Sequence, residues 1–243
     1  MKLAAIYNLF DGEELLRGSM ECLRGEVDLF VIIYQNVSNF GEKYEPLAEI
    51  DLSGWGNVIF YRYNPTKIGG FDNEKAKRNL GLDIARANNC THLLHIDCDE
   101  YYENFAEAKK QYINAGTGGS VCKIFTYFKL PTLRFERECG YYVPFIHRLR
   151  QDTVAGVKKY PFYVDPTRRI NENRVSILDI HMHHFSYVRK DIERKCRNSS
   201  ARNNIAKNKV LDEYNSPDIA PGYFVKSQGQ KLIEVENKFN IQL

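Results

Sequence analysis

The chain has no apolar run long enough to cross a bilayer. Leu3-Ala4-Ala5-Ile6 and Val31-Ile32-Ile33 typify its apolar stretches, whereas a membrane span needs roughly 20 such residues. Net charge is also small: 34 Lys and Arg against 31 Asp and Glu leave +3, too balanced for bulk electrostatic attraction to nucleic acid. Cys22, Cys90, Cys98, Cys122, Cys139 and Cys196 form no Cys-x-x-Cys pair. Disulfide frameworks belong to short secreted chains, so in a chain of 243 residues these read as buried, reduced thiols. No secretory signal fits the start, where Met1-Lys2 and one short apolar stretch lead straight into Asp11, Glu13 and Glu14. Repeats and linkers are missing as well. These absences argue against a transmembrane protein, a secreted one and a low-complexity scaffold. With 43% hydrophobic and 27% charged residues, the expectation is a soluble, cytoplasmic globule that does not bind nucleic acid.

The first hundred residues alternate between strand and helix patterns. Leu3 to Tyr7 is a short buried strand, and Gly12 to Arg24 places Leu16, Met20 and Leu23 at helical spacing behind acids in the first turn. Val27 to Tyr34 is a second strand, rich in β-branched and aromatic residues. A helical stretch around Lys43 to Glu49 leads to a third strand, Val58 to Tyr63. A helix from about Asn73 to Asn88 carries Ala76, Leu80, Ile84 and Ala87 on one stripe, and Thr91 to Ile96 is a fourth strand. Strands separated by helices imply right-handed crossovers and a largely parallel sheet. Beyond residue 105 the pattern is mixed: Cys122 to Leu149, Val175 to Val188 and Leu232 to Val235 read as extended, and Lys190 to Tyr214 as a solvated helix or helical pair. The expectation is one domain with a first half (1–105), a mixed second half (106–215) and a tail (216–243) packed on it.

The most informative segment is Leu93-Leu94-His95-Ile96-Asp97-Cys98-Asp99-Glu100, an apolar strand ending in three acids within four residues. Strand alternation would point Asp97 and Asp99 one way and Cys98 the other. Paired carboxylates at the carboxyl edge of a parallel sheet lie where α/β folds bind ligands, and such hard oxygen donors suit Mg²⁺ or Mn²⁺. The plainer alternative is acids that cap the next helix or face solvent. On the preceding helix, Lys77 and Arg78 of Asn73-Glu74-Lys75-Ala76-Lys77-Arg78-Asn79 stand near the same edge and can meet a phosphate.

In combination these segments resemble the nucleotide-sugar glycosyltransferases of the GT-A fold, broadly the family 2 type. The likeness runs through Ala5-Ile6-Tyr7-Asn8 with Glu13-Glu14, then Ala76-Lys77-Arg78-Asn79, then His95-Ile96-Asp97-Cys98-Asp99, in order over roughly the first 105 residues. It implies a GT-A, Rossmann-like α/β fold with a mostly parallel central sheet flanked by helices. The first half would hold a nucleoside-diphosphate sugar and the second an acceptor hydroxyl of a glycan, lipid or protein. Tyr7, Asn8 and Gln35 would line the nucleotide pocket, Lys77 and Arg78 approach the diphosphate, Asp97 and Cys98 contact the nucleotide sugar, and Asp97 and Asp99 coordinate Mn²⁺ or Mg²⁺. Two departures stand out. Gln35-Asn36 replaces the acid that often reads the base, which leaves uridine open, and Ile68-Gly69-Gly70-Phe71-Asp72 supplies its glycines earlier than expected.

In His181-Met182-His183-His184 the resemblance suggests that His184 or His183 returns to the metal or the diphosphate. A zinc site is the rival, but no cysteine or Glu-x-x-His motif lies nearby to complete it, and histidines that satisfy a strand edge are the plain reading. Inversion, favoured over retention, needs a carboxylate base on the acceptor side. Asp165, Glu138, Asp152 and Glu136 are candidates, with Asp165 in Tyr163-Val164-Asp165-Pro166 preferred. Aromatic clusters at Phe125 to Phe128, Tyr141 to Phe145 and Tyr160 to Tyr163 offer either an acceptor platform or ordinary core. The basic stretch Arg189 to Arg202 allows peripheral contact with an anionic membrane. Two other functions stay open: a sugar-nucleotide nucleotidyltransferase, although Leu9-Phe10-Asp11-Gly12-Glu13 is acidic where such enzymes have a basic glycine-rich loop, and a non-catalytic nucleotide- or carbohydrate-binding module.

Overall fold

The apolar runs of the first half become the centre of one sheet. The computed structural model describes residues 1–46, 50–66, 69–199 and 204–243. Strands β1 (Leu3–Leu9), β2 (Leu29–Tyr34), β3 (Val58–Arg62) and β4 (His92–Asp97) lie in the order β3-β2-β1-β4, all parallel. Nearly every residue of β1, β2 and β4 is buried, as a sheet covered on both faces requires. The cover is helix α1 (Glu13–Glu21) on one side and α2 (Gly70–Ala87) on the other. Alternation along β1 distributes the contacts: Leu3, Ala5, Tyr7 and Leu9 pack with Leu16 and Met20, while Ala4 and Ile6 pack with Leu82 and Ala85. Helix α2 lies so close to β1 that a Cβ on Gly81 would collide with Ile6.

The second half extends the same sheet with strands that run in both directions. It runs through β5 (Glu100–Tyr102), α3 (Phe105–Ala115), β6 (Gly119–Phe128), β7 (Leu130–Phe135), β8 (Val143–Arg148), a 3-10 turn at Pro166–Arg168 and β9 (Val175–Tyr187). Helices α4 (Ile192–Asn198) and α5 (Asn204–Tyr214) and strands β10 (Phe224–Val225) and β11 (Gln230–Glu234) follow. Strand β8 is antiparallel to β4 and to β6, and β9 pairs parallel with β6 and antiparallel with β5. The tail is part of the sheet, since β11 pairs with β7 and Ile241 is buried with Leu15, Tyr101 and Phe185. The architecture is an α/β arrangement of a central sheet flanked by helices, parallel in its first half and mixed in its second, as the resemblance implies.

Two expectations need correction. Lys43 forms a bridge with Val37 rather than helix, because Gly41 and Pro46 flank a stretch too short to propagate one; 47–49 lie outside the described residues. Asp97 is the last residue of β4 and the chain turns at Cys98-Asp99 before β5, so the alternation expected for Asp97, Cys98 and Asp99 does not apply. Helix α3 is an addition to the sequence reading, although Phe105, Ala108 and Tyr112 form its buried stripe. Lys190 to Tyr214 does contain two helices. Residues 200–203 between them lie outside the described residues, as does Ile68 of the glycine-containing approach to α2. Among the described residues no helix is long and apolar enough to cross a membrane.

Candidate active site

Where β1, β2 and β4 end, their last side chains and the first turns of α2 enclose a polar cavity of about 180 Å³. This is the carboxyl edge of the parallel strands, where the backbone leaves the sheet and side chains from several loops converge. Asn8, near the end of β1, contributes a buried carboxamide whose nitrogen and oxygen both lack a hydrogen-bond partner. Gln35, one residue beyond β2, donates its amide to the Val37 carbonyl (2.6 Å) and to Asn39 Oδ1 (3.3 Å), leaving its oxygen unpaired. Buried polar atoms are nearly always paired, so these amides mark a surface built to meet a polar ligand.

Lys77 and Arg78 reach the cavity from α2, as expected from their place on the crossover helix. Burial pulls the Lys77 ammonium down to about 8, against the opposing pull of Glu74. Arg78 donates Nε to Thr167 Oγ1 (3.1 Å), and its Nη2 lies 3.5 Å from Asp97 Oδ1 and 4.0 Å from Asp165 Oδ2, while Nη1 is unpaired. Asp97 also accepts from Arg168, whose guanidinium grips both oxygens of the buried Glu100 at 2.7 and 2.8 Å. Burial pushes the Asp97 carboxyl up, but Arg168 and Arg78 outweigh it and hold it at about 2.

Asp99 faces a different set of cations. It accepts from Arg189, lies 3.3 Å from Lys195 Nζ and 3.6 Å from His184 Nε2, and is only 2% exposed. Burial again pushes its carboxyl up, and Lys195, Arg189 and His184 hold it well below the usual carboxylate range. Arg189 is itself buried, with Nε and Nη1 unpaired. Cys98 lines the same cavity rather than the opposite face, its thiol donating to the Asp11 carbonyl (3.3 Å).

Asp165 borders two spaces. It lines the main cavity and, with Asp97, an adjoining cavity of about 110 Å³ walled by Tyr141, Tyr142, Arg168 and His184. One of its oxygens caps the 3-10 turn by accepting from Thr167 N (2.7 Å) and Oγ1 (2.9 Å); the other lies 3.9 Å from Arg168 Nε.

Several expected residues are elsewhere. Tyr7 points under α1, fully buried, with its hydroxyl 3.0 Å from Ser19 Oγ, because odd positions of β1 face that helix. His183 alternates with His184 along β9 and so faces away, its Nδ1 2.8 Å from the Tyr127 hydroxyl. Glu138 pairs with Lys123 (2.6 Å) and His181 (2.7 Å) on that side. Asp152 sits exposed beside Arg150, and Glu136 lies where β7 meets β11, its N–H donating to the Lys231 carbonyl. The Phe125 ring is no sugar platform, since His181 stacks at 4.2 Å and the Arg134 guanidinium sits 3.9 Å from its centroid; Tyr127 and Phe128 are core. Sequence reasoning misses Arg168 and Lys195 as site residues. Each is a single basic residue in a basic neighbourhood, and nothing local distinguishes it from a solvated charge.

The residues present do not fit the expected divalent cation. Asp97 and Asp99 are each already paired with two cationic side chains, and His183 is absent from the site. Among the described residues no group of three or more His, Cys, Asp or Glu comes together to hold a metal ion.

No protein-family model matches the chain, and no curated protein matches it. Among solved structures it is similar to S. aureus TarS, at 14% identity and a TM-score of 0.46 over 88% of this chain and 43% of that one. The TarS 1–349 structure in complex with UDP-GlcNAc is similar at 13% identity and a TM-score of 0.45, over 88% of this chain and 71% of that one. A mannose-1-phosphate geranyltransferase from Thermus thermophilus is similar at 16% identity and a TM-score of 0.35, over 62% and 51%. The chain thus spans less than half the length of TarS. Likenesses at such identities and TM-scores carry no inference about its chemistry.

Proposed function

We propose that the chain is a glycosyltransferase that takes a sugar from a nucleoside-diphosphate donor and passes it to an acceptor hydroxyl with inversion. The observation that carries this reading is the pairing of the two cavities. A polar cavity lined by unpaired amides and by fixed cations suits a nucleoside diphosphate, and the smaller one beside it suits the sugar. Asp165 stands where they meet.

Breaking the bond between the anomeric carbon and the diphosphate leaves negative charge on the departing phosphate. Arg78, Arg189, Lys195 and Lys77 are already in place to meet that charge, so they stabilise the transition state without reorganising. Asp165 would take the proton of the acceptor hydroxyl on Oδ2, the oxygen that is not bonded to Thr167 and stands near Arg78 and Arg168. Tyr141, Tyr142 and His184 would border the sugar. Asn8 and Gln35, whose polar atoms are unpaired, would read the base.

The test is turnover. Each common nucleoside-diphosphate sugar is incubated with the protein and release of nucleoside diphosphate is followed. Release from one donor, with sugar found on water or an added glycan, supports the reading. Release of pyrophosphate from a nucleoside triphosphate and a sugar phosphate would replace it with nucleotidyl transfer. Tight nucleotide binding with no turnover of any donor would make it a binding module.

A further inference from the structure

We infer that the donor's diphosphate is neutralised by a fixed cationic cradle, Arg189 and Lys195 with Lys77 and Arg78, and that binding does not require a divalent cation. The inference rests on the nucleoside-diphosphate reading of the cavity.

The hydrogen-bond inventory favours this over a metal centre. A divalent ion needs lone pairs from oxygen ligands; beside the unpaired amide oxygens of Asn8 and Gln35, the buried unpaired atoms on the cavity-lining residues Arg78 and Arg189 are N–H donors: Nη1 of Arg78, and Nε and Nη1 of Arg189. Guanidinium nitrogens donate and never accept, so their complement is an oxygen-rich anion. An ion held between Asp97 and Asp99 would also share them with Arg78, Arg168, Arg189 and Lys195, whose like charges oppose it. One Asp11 oxygen is unpaired, yet its other oxygen accepts from Arg194 at 3.2 Å, so that acid too is matched.

The role of the Asp-x-Asp segment changes accordingly. Asp99 is an anchor, holding Arg189 and Lys195 at the cavity wall, while two Arg189 nitrogens stay buried without a hydrogen-bond partner. Asp99 there faces two cations, and Lys77 has no ion-pair partner within 4.0 Å among the described residues; Asp11, Glu74, Asp97 and Asp165 also line the cavity, with Asp97 held by Arg78 and Arg168 and Asp11 by Arg194. Bidentate contact between guanidinium and phosphate oxygens is short, directional and about twice as strong as a neutral hydrogen bond, so two such guanidiniums, with the two lysine ammoniums as point charges, can replace the electrostatic work of a metal.

Calorimetric titration with UDP, GDP, ADP, CDP and dTDP, each in excess EDTA and then in Mn²⁺, tests this. The expected result is one diphosphate whose dissociation constant changes less than about threefold between the two, and whose affinity drops about tenfold or more in Lys195→Ala. Because Arg189 is buried, Arg189→Lys accompanies Arg189→Ala, with thermal melts to separate loss of binding from loss of fold. Binding that appears only with Mn²⁺ and vanishes in EDTA would overturn the cradle and leave the proposed function standing. If no diphosphate binds under either condition, the nucleotide reading fails and the cradle falls with it.

Discussion

Arg189 donates to Asp99 across 90 residues of sequence, and the pair is almost wholly buried. The guanidinium presses against Gly12, the residue before α1: a Cβ there would collide with Arg189 Nη1 and Cζ and touch Cys98 Sγ at 3.0 Å. Gly12 also has φ +89°, a left-handed conformation costly for any other residue. Three distant stretches of chain therefore have to agree before one cation is placed.

That agreement can be broken at its smallest member. Gly12→Ala should displace Arg189 and weaken nucleoside-diphosphate binding about tenfold, along with about 1–2 kcal/mol of backbone strain. Gly25 has φ +80° but nothing within 4 Å of an added Cβ, so Gly25→Ala should show similar strain with binding intact. Equal affinities in the two variants would disprove the displacement.

Asp165→Asn keeps the side chain's size and its bonds to Thr167 while removing the basic oxygen. Transfer to an acceptor should fall about 10²–10⁴-fold, the usual worth of a positioned general base. Nucleotide affinity, measured by titration, should change little. Glu138→Gln and Asp152→Asn should leave turnover near that of the unaltered chain.

Lys77 should make binding pH-dependent. Burial lowers its ammonium to about 8, and a bound phosphate, favouring the charged form, raises it again. Affinity should therefore stay level from pH 7 until near 8 and then weaken as pH rises, by up to about tenfold per pH unit. Lys77→Met should bind weakly throughout and with a flatter profile across the same range.

His147 should make the fold acid-sensitive. It is fully buried, its Nε2 2.7 Å from the Tyr160 hydroxyl, and burial lowers it to about 4. An unfolded histidine takes its proton near pH 6.5, so between pH 6.5 and 4 the unfolded chain binds more protons and stability drops as pH falls. At 1.36 kcal/mol per pH unit the loss from this residue reaches roughly 3 kcal/mol by pH 4. Urea unfolding at pH 7, 5.5 and 4.5 measures it. His147→Gln should flatten the profile, although His95, buried and held well below its ordinary value, will contribute a loss of its own.

The sequence by itself determined the parallel half of the sheet and the place of its ligand edge. Strand and helix in that half are written in local periodicity: Ala4 and Ile6 against Leu82 and Ala85, Leu3 and Ala5 against Leu16 and Met20. Crossover handedness then carries Asn8, Gln35, Lys77, Arg78 and Asp97 to one edge. Only the tertiary structure decided what those acids do. Whether an aspartate grips a metal or an arginine depends on partners brought from 71 and 90 residues away, Arg168 for Asp97 and Arg189 for Asp99. No local pattern encodes that pairing, because it arises from strand pairing between β5, β6 and β9. The same holds for His183 and His184, adjacent in sequence, which the pleat of β9 sends to opposite faces, so that only His184 meets Asp99.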